Sequence, residues 1–316
     1  MEIDNYPMLV DIIWEKIQGR PEDRERVDFL FSEQQIAEMM GVTCKWDSDA
    51  CVFGIAQALN DLVDMEYCKG RGSFNGHRWM YVAPSADCPD VPPTALFVTP
   101  PLVKIPPFRG TVLQFVHEQA VCHEEGITFY TLARILHQQA ISILIPTTNE
   151  SNLHLAGRET IQALSGLEKQ GFVAGSIPSG DSTLRVTFKG ACWLLIMQPL
   201  SRLLERATML AQCPEAVEAV QCLIEAYGEI QSKAVPILYV AIEKLENVVG
   251  GERKLIDFYG RPRAYISDLK QSLQQHRHAE TQAHIKLNYQ QCLERATDII
   301  ERYMAQQEQG KTEGKN

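Results

Sequence analysis

The sequence predicts a mainly helical protein with small β-hairpins, and three observations support this fold class. Apolar residues recur at helical spacing over most of the chain, short segments rich in Gly and Asn follow some of the helical patterns, and one stretch occurs twice. The chain has 316 residues, of which 45% are hydrophobic and 22% charged. This is the composition of an ordinary globular protein, and its length indicates about two or three domains.

The repeated stretch begins in a helical pattern and continues into a hairpin-like segment. Residues 58–62 (Ala-Leu-Asn-Asp-Leu), followed by Tyr67, reappear 105 positions later as residues 163–167 (Ala-Leu-Ser-Gly-Leu), followed by Phe172. The match continues without a gap to residues 82 and 187. Upstream, residues 31–40 match residues 127–136 at an offset of 96. The second copy therefore has nine more residues before its third helix.

The first copy is predicted to contain three helices and a hairpin. Residues 7–18 carry an apolar helical stripe, which Gly19 and Pro21 end. Ser32 stands at the cap position of the second helix, with Gln35 three residues later as in a capping box. The third helix has an apolar stripe at Val52, Ile55, Leu59, Leu62 and Val63. A hairpin with a Gly-rich tip follows.

The second copy repeats this order. Helical patterns cover residues 112–120 and 128–139, a third helix covers about residues 151–170, and the following hairpin has its tip at residues 178–182. Three helices followed by a two-stranded hairpin are the order of a winged helix-turn-helix unit. The sequence therefore predicts two tandem winged-helix domains, at residues 1–84 and 108–197.

Two further regions complete the predicted organisation. Residues 85–107 are so rich in proline that we expect a stiff, extended linker without helix or central strand. Residues 198–309 have only helical signals and predict an all-α bundle, whose long last helix begins after Pro262 and runs to about Gln307. Leu269 and Leu273 on that helix are the predicted partner-binding residues. We expect residues 310–316 to be a disordered tail.

The charge distribution argues against autonomous binding of duplex DNA. Residues 1–110 contain 10 Lys and Arg against 17 Asp and Glu, whereas a DNA-binding domain is usually basic. Between Lys45 and Lys69, where the third helix of the first copy lies, there is no Lys or Arg. Because a DNA-reading third helix brings cations or amides to the major groove, we expect this helix not to read bases.

The hairpin of the first copy is the exception, because its cations could meet phosphates or the minor groove. Its candidate nucleic-acid-binding residues are Lys69, Arg71, His77 and Arg78. In the second copy Arg158, close to the polar start of the third helix, is the single candidate. A solvated hairpin and ordinary helix-capping residues are the alternatives that the sequence leaves open.

No metal, cofactor or catalytic activity is predicted. Cys44, Cys51, Cys68 and His77 are too widely spaced for a zinc site, whose ligand pairs usually lie about two to four residues apart. Arg277 followed by His284 resembles the catalytic pattern of HEPN-type ribonucleases, which implies RNA cleavage as one alternative. No paired carboxylates or phosphate-binding glycine loop accompanies these two residues. A solvated helix face is therefore the favoured interpretation of these two residues.

Over about residues 6–190 the paired units resemble tandem winged-helix proteins. With an acidic third helix, the chain is similar to the kleisin-interacting tandem winged-helix subunits of SMC complexes. The resemblance implies a non-catalytic accessory subunit of a DNA-acting complex, in chromosome maintenance or anti-phage defence. It also implies protein partners and weak or indirect DNA contact. The alternative is a transcription regulator that forms a homodimer through its C-terminal helices.

The sequence also predicts the compartment. No apolar run approaches the roughly 20 residues needed to cross a bilayer, and the acidic N-terminus carries no secretory signal. Nine cysteines, an odd number, are typical of reduced thiols. We therefore expect a cytoplasmic protein that does not contact membranes.

Overall fold

The structure is a computed structural model of the 316-residue chain. It describes residues 2–3, 5–18, 43–44, 48–69, 72–74, 77–79, 83–85, 87–121, 127–128, 150–175, 183–210, 214–260, 262–277 and 285–313. The chain divides into two compact units. The first unit comprises Met1–Val98 and Ile105–Leu195, and the second comprises Thr99–Lys104 and Ile196–Asn316.

The described part of the chain is mainly helical with small β-hairpins, as the sequence predicted. The helices that begin in the first unit are α1 (Tyr6–Gln18), α2 (Ser48–Asp64), α3 (Ala95–Val98), α4 (Pro107–Val121), α5 (Glu150–Lys169) and α6 (Phe188–Leu210). The helices of the second unit are α7 (Pro214–Tyr227), α8 (Gln231–Val249), α9 (Glu252–Tyr259), α10 (Arg263–Arg277) and α11 (Tyr289–Glu313). Within the described ranges, no helix is long and apolar enough to span a bilayer.

The described strands are short and all lie in the first unit. They are β1 (Glu2–Ile3), β2 (Thr43–Cys44), β3 (Cys68–Lys69), β4 (Gly72–Phe74), β5 (His77–Trp79), β6 (Ala83–Pro84), β7 (Ile127–Thr128), β8 (Val173–Ala174) and β9 (Thr183–Val186). β1 pairs with β2 in parallel, whereas β3 pairs with β6 and β4 with β5 in antiparallel fashion. β9 pairs with both β7 and β8, which gives an antiparallel sheet of order β7-β9-β8.

The predicted apolar stripes form the core of the first unit. The buried residues of that cluster on α1 and α2 include Leu9, Ile12, Ile13, Ile17, Ile55, Leu59 and Leu62. The rings of Trp14 and Tyr67 pack edge to face with centroids 5.0 Å apart. Phe188 and Cys192, at the start of α6, belong to the same cluster. The end of the predicted second domain (residues 108–197) therefore completes the core of the first copy.

Part of the Pro-rich segment is ordered and helical, which corrects the expectation of an extended linker. α3 lies within it, and residues 87–98, here called the strap, are fixed to α1. The Thr94 N–H and hydroxyl both donate to the Asp11 carboxylate, at 3.1 and 2.5 Å. The Tyr67 hydroxyl donates to the Val91 carbonyl at 2.7 Å. Proline is compatible with a helix start, because the first N–H groups of a helix have no partner within it.

The predicted single long helix at the C-terminus is wrong, because the described chain is non-helical at residues 285–288 and divides that region into α10 and α11. The Leu287 N–H donates to the Ser272 hydroxyl at 3.1 Å, and the Leu287 carbonyl accepts from His276 Nε2 at 2.9 Å. Both backbone groups of Leu287 are thus satisfied by side chains one turn apart on α10. A buried chain can leave the helical path where such partners replace the helical hydrogen bonds.

Candidate nucleic-acid interface

Helices α2 and α5, at the positions predicted for the third helix of each copy, end in the same corner. The predicted second helix of the first copy, with Ser32 and Gln35, lies outside the described residues, as do residues 129–139 of its counterpart. The Tyr67 N–H donates to the carbonyl five residues earlier at 2.9 Å, and the Phe172 N–H does the same at 2.9 Å. The preceding residue has a positive φ in both copies, 64° at Glu66 and 72° at Gly171. A left-handed residue at this position ends a helix and redirects the chain. The sequence repeat therefore has the same local backbone structure in both copies.

In both copies the chain then returns to this corner. The Ser85 N–H donates to the Tyr67 carbonyl at 2.8 Å, and the Thr187 N–H donates to the Phe172 carbonyl at 3.0 Å. In the second copy β7, which precedes the third helix, joins the two strands that follow it in one sheet. Helix, corner and returning strand are thus shared by the two copies.

The hairpin of the first copy, residues 68–84 and here called the first wing, contains two successive ladders. At its base β3 pairs with β6, and further along β4 pairs with β5. The β4–β5 register joins Gly72 to Trp79, Ser73 to Arg78 and Phe74 to His77. The segment that the sequence predicted as the tip is therefore partly a strand ladder. Asn75 and Gly76, between β4 and β5, lie outside the described residues.

The backbone brings three of the predicted nucleic-acid-binding residues onto this wing. Lys69 lies on β3, and His77 and Arg78 are consecutive residues of β5. Arg71 lies outside the described residues, as do the side chains of the other three. Arg158 lies on α5, and its side chain is likewise outside the described part of the chain. Their contacts with nucleic acid stay predictions.

A half-buried carboxylate is held by side-chain hydrogen bonds within the first unit. Asp61, on α2, accepts from the Tyr6 hydroxyl at 2.6 Å and from the Gln57 amide at 2.9 Å. The side-chain oxygen of Gln57 in turn accepts from the Arg185 guanidinium, on β9, at 3.1 Å. Burial raises the pKa of Asp61, although the two hydrogen bonds act in the opposite direction. This network connects the third helix of the first copy to a strand of the second.

At the position that matches Asp61, the second copy has Gly166 and a different packing. A Cβ atom on Gly166 would lie 2.6 Å from the Arg109 guanidinium carbon, so the absence of a side chain makes room for that arginine. In the first copy α1 contacts α2 through the Tyr6 hydroxyl and the Asp61 carboxylate. In the second copy the Arg109 side chain of α4 packs against the backbone of α5 at Gly166. Neither arrangement could be predicted from the sequence, because neither Arg109 nor Arg185 belongs to a local cluster of cations.

The predicted partner-binding leucines are not available on the surface, which corrects that prediction. Leu269 and Leu273 are both 0% exposed and lie in the apolar core of the second unit. Their helical spacing correctly indicated an apolar face, but helices of the same chain cover it. Arg277 is exposed at the end of α10, and His284 lies outside the described residues. The pairing of these two residues in a nuclease site stays an untested alternative.

A polar cluster of the second unit is built around two tyrosines. The hydroxyls of Tyr259 and Tyr265 both donate to Asp298 Oδ2, the second at 2.9 Å. The two rings are stacked with centroids 5.4 Å apart. Arg295 lies 4.4 Å from the Tyr265 ring centroid, and Arg302 lies 5.1 Å from that of Tyr259. Burial raises the pKa of Tyr259, as does its bond to Asp298. Because its donors and acceptors satisfy one another, we assign the cluster a packing role.

Neither the search for metal-binding groups nor the comparison with known proteins assigns a role to the described residues. Among the described side chains, no group of three or more His, Cys, Asp or Glu could hold a metal ion. Cys44, Cys51 and His77 of the sequence-based cluster have side chains outside that set. Comparisons with protein-family models, with curated proteins and with solved structures found no significant match.

Proposed function

We propose that the protein is a non-catalytic accessory subunit of a DNA-acting complex, built on two winged-helix copies. The observation that carries the proposal is the shared corner at Tyr67 and Phe172, followed in each copy by a returning strand. A third helix that leads into a hairpin is the order of a winged-helix unit. The β7-β9-β8 sheet supports the same assignment, because it joins a strand before the third helix to the hairpin after it.

The third helix of the first copy favours contact with protein rather than with bases. α2 contains no Lys or Arg, and Asp64 and Glu66 are exposed at its C-terminal end. Exposed carboxylates repel the phosphates that flank a DNA groove, whereas charge complementarity steers association with basic protein surfaces. We assign α2 to partner contact within a chromosome-maintenance or anti-phage complex.

The first wing is the proposed nucleic-acid contact. Lys69, Arg71, His77 and Arg78 lie within ten residues of sequence, and the β4–β5 ladder fixes the backbone that carries His77 and Arg78. Cations on a hairpin give contact with phosphates without sequence specificity. The affinity of the isolated chain for duplex DNA is therefore weak, and the partners of the complex supply the rest.

The experiment is a salt titration of DNA binding, measured by fluorescence anisotropy on labelled random duplex. The variant Lys69→Ala/Arg71→Ala/Arg78→Ala should bind more weakly and flatten the plot of log affinity against log salt by about 2 to 3 units. The matched control replaces three exposed arginines of the second unit, Arg202, Arg253 and Arg263, by Ala. An unchanged slope in the wing variant, or an equal loss in the control, would refute the assignment of the wing.

A further inference from the structure

We infer that the strap and the adjoining face of α1 form a docking surface for a basic amphipathic segment of a protein partner. This inference identifies partner chemistry for the proposed accessory subunit and rests on that proposal. It concerns a surface separate from the first wing, so the two can fail independently.

The strap is a fixed part of the surface. Thr94 is bound through two hydrogen bonds to Asp11, and the Val91 carbonyl is bound to the Tyr67 hydroxyl. On its inner side the Phe97 ring packs edge to face on Phe188, with centroids 5.7 Å apart. These contacts fix the strap at residues 91, 94 and 97, so the exposed side chains between them are presented on a preformed surface.

Three large apolar side chains remain exposed there. Met8 is 38% exposed, Val91 42% and Leu96 46%. Val91 and Leu96 flank Thr94 in the strap, and Met8 lies one turn before Asp11, to which Thr94 is bound. Exposed apolar side chains grouped around one hydrogen-bonded pair, Thr94 and Asp11, are typical of an interaction site.

The rim of this surface is acidic. Asp87 and Asp90 of the strap and Glu15 of α1 are exposed. From residue 79 to residue 103 the sequence contains no Lys or Arg. Negative charge around an apolar centre repels nucleic acid and also repels the same face of a second copy. It complements a helix or extended segment with apolar side chains on one side and Lys or Arg on the other.

The probe is a fluorescein-labelled peptide of about 18 residues, or five helical turns, with Leu on one face and Lys on the other. Full-length protein should bind it saturably, and high salt should weaken binding. Val91→Ser/Leu96→Ser and Asp87→Asn/Asp90→Asn should each reduce affinity about tenfold or more. The control Met209→Ser/Val240→Ser, at side chains 81% and 39% exposed in the second unit, should bind as the wild type does. Circular dichroism melts establish that all variants fold.

Three results would overturn the inference. The first is binding that the strap variants leave unchanged or that the control loses equally. The second is a dimer in sedimentation equilibrium that Val91→Ser/Leu96→Ser abolishes, which would make a second copy the occupant. The third is displacement of the peptide by duplex DNA. The wing variant Lys69→Ala/Arg71→Ala/Arg78→Ala should retain peptide binding. The peptide experiment therefore tests the strap even if the wing does not bind DNA.

Discussion

The Tyr6 hydroxyl donates a 2.6 Å hydrogen bond to Asp61, 55 positions later in the chain, and closes helix 1 of the first copy against helix 3. The Gln57 amide binds the other carboxylate oxygen at 2.9 Å. Despite these two donors, burial raises the pKa of Asp61 above the 3.8 of an ordinary aspartate. Burial thus outweighs the two donors, so folding favours the protonated form of Asp61.

The raised pKa of Asp61 predicts a pH dependence of stability. A folded-state pKa above the unfolded value contributes stability that is present below the unfolded pKa and is lost as pH rises through the folded pKa. The wild type should therefore lose stability relative to Asp61→Asn as pH rises from 3.8 towards neutrality. Urea denaturation of both proteins over this range measures the difference in the free energy of unfolding. A stability of the wild type relative to Asp61→Asn that is constant or rises with pH would contradict the prediction.

Tyr6→Phe should destabilise the first unit by about 1 to 3 kcal/mol, because it leaves one oxygen of the half-buried Asp61 carboxyl group without its donor. The control is Tyr239→Phe, whose hydroxyl accepts from the exposed Gln274 amide. Loss of that contact should cost within about 0.5 kcal/mol. Chemical denaturation measures the loss in the free energy of unfolding for both variants. Equal losses would show that the Tyr6–Asp61 bond stabilises the protein no more than an exposed hydrogen bond does.

The repeated corner predicts opposite effects of two reciprocal substitutions. Glu66 has a φ of 64°, which costs a residue with a Cβ atom about 1 to 2 kcal/mol, whereas Gly171 adopts its 72° freely. Glu66→Gly should therefore stabilise the protein by about 1 kcal/mol, since the greater freedom of glycine in the unfolded chain offsets part of the gain. Gly171→Glu should destabilise it. Thermal melts of both variants test this, and shifts of the same sign would refute it.

The non-helical residues 285–288 before α11 predict that Ser272→Ala lowers the free energy of unfolding. Its hydroxyl is the acceptor for the Leu287 N–H, and Ser272 is 0% exposed, so the variant leaves a buried donor unpaired. We expect a loss of about 1 to 3 kcal/mol. Ser267→Ala is the control on the same helix, because the Ser267 hydroxyl only donates back to the Arg263 carbonyl. Denaturation that does not distinguish the two variants would mean that the turn does not depend on Ser272.

Helices and their buried faces could be predicted because their signals are local. The stripes on α1 and α2 repeat every three to four residues, and the corner at Tyr67 could be recognised because Phe172 repeats it. The break between α10 and α11 could not be predicted, since the apolar spacing through Leu273 suggests continuation. The side chains of Ser272 and His276 that hold the non-helical Leu287 lie 15 and 11 positions away from it.

In the candidate site, too, features that are local in sequence could be predicted and contacts between distant residues could not. The cations of the first wing are neighbours in sequence and could be found by inspection. The Arg185–Gln57 bond spans 128 positions and the strap bond from Thr94 to Asp11 spans 83, so no window of sequence contains either pair. For Leu269 and Leu273 the pattern indicated an apolar face, but burial depends on which helices cover that face, and that is a property of the folded chain.

Residues 99–104 belong to a different unit from the segments on both sides of them, and this connectivity limits how the two units could be exchanged by recombination. They belong to the second unit, where the Leu102 N–H donates to the Tyr227 carbonyl at 2.8 Å and Lys104 contacts Glu229 at 2.5 Å. The segments on both sides of them belong to the first unit. A gene fragment that starts at residue 196 therefore encodes a second unit without Leu102 and Lys104. Recombination at that boundary would exchange incomplete parts, so the two units are expected to be inherited together.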